Sequence, residues 1–144
     1  MQTKEFLHAL NDQQIAAAIA EAEKRTSGEI RVFVSESATV NPILEAEKHF
    51  VRLGMIKTAQ RNGVLIFFAP KSQKFAVVGD EGVHKKCGQQ FWEHITAGMT
   101  PFLKEHKFTE AIVHAVHEIG GALAKEFPPI ANDKNELPNR VERG

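Results

Sequence analysis

Residues 61–88 read RNGVLIFFAPKSQKFAVVGDEGVHKKCG, and this stretch decides the fold. Residues 64–69 are a continuous apolar, β-rich run, the mark of a strand buried on both faces. Residues 70–74 form a short polar connection, and 75–78 make a second strand. Strands joined this closely are antiparallel neighbours. The second one runs into Gly79-Asp80-Glu81-Gly82, two adjacent carboxylates held between glycines at a strand end. Glycines let the backbone turn sharply. The acids are then expected to face outward at a sheet edge, where a cation can approach. A solvated acidic turn is the other reading of the same tetrapeptide, and the residues leave both open.

Upstream, Leu10-Asn11-Asp12-Gln13-Gln14-Ile15 carries a helix start. Asn11 caps, Gln14 can reach back to it, and Leu10 can clasp Ile15. That helix should run to about Arg25, burying Ile15, Ala18, Ile19 and Ala22. Residues 5–10 read as a separate helical turn. After Thr26-Ser27-Gly28, Glu29 opens a strand in which Ile30, Val32 and Val34 alternate with Arg31, Phe33 and Ser35. Asn41-Pro42 combines a cap with a first-turn proline and starts a second helix that ends at Gly54. Its expected apolar face is Ile43, Ala46, Phe50 and Leu53.

Downstream, residues 83–98 read as one helix carrying Phe91, Trp92 and Ile95, all expected in the core. Pro101 kinks it or separates a short continuation. Thr109 is expected to cap a last helix with the stripe Ile112, Val113, Val116, Ile119 and Leu123, ending at Phe127-Pro128-Pro129. Residues 130–144 show no helical or strand period and are expected to be an extended or mobile tail. The segment 132–138 mixes acids, amides and a Leu-Pro pair but lacks the glycine and closing glutamate of an EF-hand loop.

The element order is therefore α-β-α-β-β-α-α, an α/β fold with a mixed sheet. A strand–helix–strand crossover makes the first two strands parallel if adjacent, with the third antiparallel beside the second. The starts of strands one and two and the end of strand three then share one sheet edge. Glu29, Arg61, Asn62, Asp80 and Glu81 are scattered in sequence, yet this topology gathers them at one rim.

The chain has 144 residues, near the commonest size of a single domain, so residues 1–129 are expected to form one domain followed by the tail. A chain of this length buries roughly 68–70% of its unfolded surface and needs no staple. Lys plus Arg and Asp plus Glu both number 18, which removes bulk attraction to nucleic acid or anionic membrane. The single cysteine, Cys87, excludes an internal disulfide and a multi-cysteine zinc site. The start MQTKEFLHAL lacks a signal-peptide pattern, and no window has the apolar length of a membrane span. A cytoplasmic location is the resulting expectation.

TSGEIRVFV, RNGVLIFF and FAVVGDEGV, followed by FW and the FTEAIVHAVHEIGGAL helix, resemble the TPM domain family. That family includes thylakoid-lumen proteins linked to photosystem II repair and many bacterial proteins, some of them stand-alone. The resemblance covers residues 10–129 and implies a compact three-layer α/β/α sandwich. It also implies divalent-metal binding at conserved acids, and an acid phosphatase activity has been proposed for a plant member. By position, Glu29 matches the acid of the family's G-(A/S)-E-I motif, and Glu81 aligns with the acid of the glycine-flanked loop after the third strand. One position departs: family members often have Asp before the Asn-Gly pair, where this chain has Arg61. A cation there neutralises Asp80 or Glu81, or orients an anionic ligand bidentately.

Three function classes follow. In the first, the chain is a metal-binding or protein-interaction module, with calcium or magnesium on Glu29, Asn62, Asp80 and Glu81, since hard cations prefer such oxygens. In the second, the same acids serve a metal-dependent phosphatase-like hydrolase with Arg61 on the phosphate, although no evident base is in view. The third is an adaptor without a metal site, bound to a protein partner through a helical surface or the tail. No organic cofactor and no nucleic-acid partner are implied. His114 and His117 sit three apart on the last helix, where a solvated face explains them. Cys87 follows Lys85 and Lys86, which could lower its pKa, but lacks a sequence-positioned catalytic partner.

Overall fold

Three strands carry the sheet in the order of the chain: β1 (Glu29–Val34), β2 (Gly63–Ala69) and β3 (Lys74–Gly79). A computed structural model describes residues 2–129 and 139–144. β1 and β2 are parallel, with Glu29 opposite Gly63, and β3 is antiparallel to β2, with Gly79 opposite Val64. Every residue of β1 and β2 is buried, because both faces of the sheet are covered. On one face, Ile30, Val32, Val34, Val64, Ile66, Phe68 and Val77 meet the helices α1 (Thr3–Ala9), α2 (Asp12–Glu23), α5 (Gln89–Lys104) and α6 (Phe108–Glu126). On the other, Phe33, Leu65, Phe67 and Ala76 meet α3 (Pro42–Arg52) and Met55. The result is a mixed sheet between two helical layers, and each large side chain fully buried there contributes about 1.5–3 kcal/mol.

Local signals act where the sequence places them. Asn11 accepts from the Gln14 N–H at 3.0 Å and caps α2, and Asn41 accepts from the Leu44 N–H at 3.1 Å ahead of Pro42. Gly54 closes α3 with φ 76°, a conformation that suits glycine.

Five expectations change. Thr109 does not cap the last helix; its hydroxyl instead accepts from the Asn11 N–H at 3.0 Å and ties α6 to the junction of α1 and α2. The expected single helix 83–98 is two, α4 (Glu81–Cys87) and α5, broken at Gly88, whose φ of 78° is left-handed. Pro101 does not separate a short continuation, since it lies inside α5, which runs on to Lys104. Ile43, assigned to the buried face of α3, is 59% exposed, and His49 takes a buried place beside Ala46 and Phe50 instead.

The fifth change is at the end of the chain. Val141–Arg143 form a strand, β4, parallel to β1 and completing the order β3-β2-β1-β4. Three residues carry no readable period; pairing with β1 makes the strand, and Arg31 anchors it with a 2.6 Å ion pair to Glu142. The expectation for 132–138 lies outside the described residues. Among the described residues, no helix is long and apolar enough to cross a membrane.

Candidate functional site

Strand direction builds the rim. β1 and β2 begin, and β3 ends, at the same edge of the sheet. There the Asp80 N–H donates to the Gly63 carbonyl at 2.9 Å and the Glu29 N–H to the Asn62 carbonyl at 3.4 Å. All five residues singled out in the sequence stand at this edge, but they divide into separate arrangements.

Arg61, Asp80 and Glu81 form the first. Arg61 Nε and Nη2 donate to Asp80 Oδ2 and Oδ1 at 2.7 and 2.8 Å, a bidentate pair. Nη1 lies 3.4 Å from Glu81 Oε1. The Glu81 N–H donates to Asp80 Oδ1 at 2.8 Å, so Asp80 is also the cap of α4. The Asp80 hydrogen bonds, helped by the charge of both acids against partial desolvation, push the Arg61 pKa above its ordinary value. The loop presents this side chain from a left-handed backbone, φ 51° at Arg61.

Asn62 and Glu29 stand apart from that pair. Asn62 is buried, and its side-chain N–H donates to Ser27 Oγ at 3.2 Å, where the Gln60 amide also donates at 3.0 Å. Ser27 and Gln60 were not legible as rim residues, because the turn before β1 and the loop before β2 meet only in three dimensions. Glu29 is buried at the first position of β1.

Two readings of the acidic tetrapeptide are corrected. The acids do not both face outward: Asp80 is 6% exposed, while the Glu81 side chain is 73% exposed. Nor is the sharp turn expected at the flanking glycines made by a backbone that only glycine favours, since neither has positive φ. Each admits a close neighbour. A Cβ on Gly79 would stand 2.2 Å from the Trp92 ring, and one on Gly82 would stand 2.5 Å from the carbonyl oxygens of both Gln60 and Arg61.

A divalent cation suits these residue types, but here the Asp80 carboxylate it would use is held by Arg61. Both Asp80 oxygens already accept from the protein's own cation, and one also accepts from the α4 backbone. Among the described residues, no three His, Cys, Asp or Glu side chains converge as a metal cluster. What the arrangement offers is a guanidinium–carboxylate pair with one exposed acid beside it. Cys87 has no activated thiol: burial, with a smaller effect from Glu126, pushes its pKa up despite Lys85 and Lys86.

Residues 1–122 match the TPM domain. The fold is similar to the NMR structure of the BA42 protein from the psychrophilic bacterium Bizionia argentinensis, with 34% identity over 94% of this chain and 95% of that one, and a TM-score of 0.85. It is also similar in fold to the N-terminal domain of the cg2496 protein from Corynebacterium glutamicum, at 15% identity over 77% of this chain and 70% of that one, TM-score 0.60. Among curated proteins, none is significantly similar to the chain.

Proposed function

Because the chain belongs to the TPM domain family, we propose that it is a binding module rather than an enzyme, and that Arg61 and a divalent cation, calcium or magnesium, are mutually exclusive occupants of its acidic rim. The observation that supports this reading is the bidentate hold of Arg61 on Asp80. Asp80 and Glu81 are the oxygens a cation would use, and the chain supplies a cation to them from its own loop. A metal ion must displace that guanidinium, so binding is weak while Arg61 remains. The same pair also keeps Arg61 from clamping a phosphate, which disfavours the hydrolase reading.

Titration of the labelled protein with calcium or magnesium, followed by amide chemical shifts, tests the proposal. The expected shifts fall at residues 79–82 and around Glu29, Arg61 and Asn62, and Asp80→Asn with Glu81→Gln removes them. Shifts confined to His114 and His117 would sink it. Hydrolysis of an aryl phosphate that vanishes in the same double variant would replace it with the hydrolase.

A further inference from the structure

β3 is an edge strand, with β2 on one side and no strand on the other among the described residues. The Asp80 N–H bond to Gly63 sets the phase of the antiparallel ladder. Residues 74, 76 and 78 therefore turn their backbone groups toward β2. The N–H and C=O groups of Phe75, Val77 and Gly79 point away from the sheet. None of these groups has a hydrogen-bond partner among the described residues.

Proteins normally blunt such an edge with proline, charge, a bulge or a covering element. FAVVG, residues 75–79, contains neither proline nor charge. Its edge instead lies along a groove of about 610 Å³ between α3 and α5. Ile43 and Glu47 line the α3 wall, and Trp92, Glu93 and Thr96 line the α5 wall. The two glutamates are exposed and take part in no ion pair among the described residues. The large hydrophobic side chains left exposed, Val40, Ile43, Leu44, Val51 and Ile56, all lie on or beside α3. Of these, Ile43 lines the groove.

We propose that this groove is a peptide-binding site that takes an extended segment of another protein, alternating basic and apolar residues, as an added strand on β3. Main-chain hydrogen bonds to Phe75, Val77 and Gly79 supply the docking, as in other strand-addition modes. Side chains of an added strand alternate between the two walls. With its basic residues turned toward the α5 wall, lysine or arginine meets Glu93, while a β-branched residue on the opposite face covers Ile43. An alternating acidic segment would face like charge whichever wall its acids turned to, Glu47 on one side and Glu93 on the other.

The test is titration of the labelled protein, with a chelator present so that the cation reading is not engaged, using an alternating Lys-Val peptide of about eight residues, a strand's length. Expected are shifts and slowed exchange at the Phe75, Val77 and Gly79 amides, and binding at least about tenfold weaker for the Glu-Val counterpart. Glu47→Lys with Glu93→Lys, both at exposed positions, should reverse that preference. Equal binding of the two peptides, shifts away from β3, or a preference untouched by the charge reversal would overturn the proposal. So would concentration-dependent protection of these amides without peptide, which would assign the edge to a second copy of the chain.

Discussion

Arg61 and Asp80, 19 residues apart, lock the loop before β2 to the cap of α4 through two parallel hydrogen bonds of 2.7 and 2.8 Å. The pair neutralises the most buried oxygens of the acidic tetrapeptide.

Arg61→Asp should therefore tighten calcium or magnesium binding at least tenfold, by removing the internal cation and adding a ligand. Asp also tolerates the left-handed φ of 51° at this position better than most residues. Calorimetry measures the affinity, and thermal melts supply a second sign: without metal the variant should melt lower than wild type, because three acids then crowd the rim. Affinity unchanged from wild type would show that Arg61 does not govern access to Asp80.

Arg31 is 5% exposed and pairs with Glu142 across β1 and β4, while also donating to the Leu53 carbonyl at 3.3 Å. Glu142→Gln leaves that guanidinium buried without its counter-charge. The expected loss is about 3 kcal/mol in chemical denaturation. Replacing Arg31 by Met as well should restore much of it, because the stranded charge is gone.

His49 is buried against Phe33, with ring centroids 4.2 Å apart, and its Nδ1 has no hydrogen-bond partner among the described residues. Burial, with the nearby Arg52 charge, lowers its pKa, and Glu45 opposes the shift only in part. The unfolded chain thus takes the proton first. Stability falls as pH drops through the unfolded value of about 6.5 and levels off below the folded pKa. His49→Phe should raise stability at neutral pH by about 1 kcal/mol and flatten melts recorded between about pH 7 and pH 5. An unchanged acid slope would place the titrating group elsewhere.

Gly82→Ala forces a methyl group onto two backbone carbonyls at 2.5 Å, which cannot give way as a flexible side chain can. A loss of about 1–3 kcal/mol is expected, with displaced amide signals at Gln60 and Arg61. Gly121→Ala in α6 meets nothing within 4 Å and should instead stabilise by about 0.5–1 kcal/mol. Comparable losses at both positions would mean that close approach is not why glycine stands at 82.

The sequence by itself determined the three main strands, their relative directions, the caps at Asn11 and Asn41, the stop at Gly54, and the meeting of Glu29, Asn62, Asp80 and Glu81 at one edge. These follow from period, turn chemistry and crossover rules, all of which act within a few residues or follow from strand order. Tertiary structure alone decided that Arg61 closes on Asp80, that Asp80 is buried while Glu81 is not, and that Trp92 lies over Gly79. It also decided that Ile43 stays exposed beside an open strand edge and that the last three strand residues dock on β1. Those outcomes depend on which distant surfaces meet and on which buried polar groups then find partners, and no local pattern in the chain encodes either.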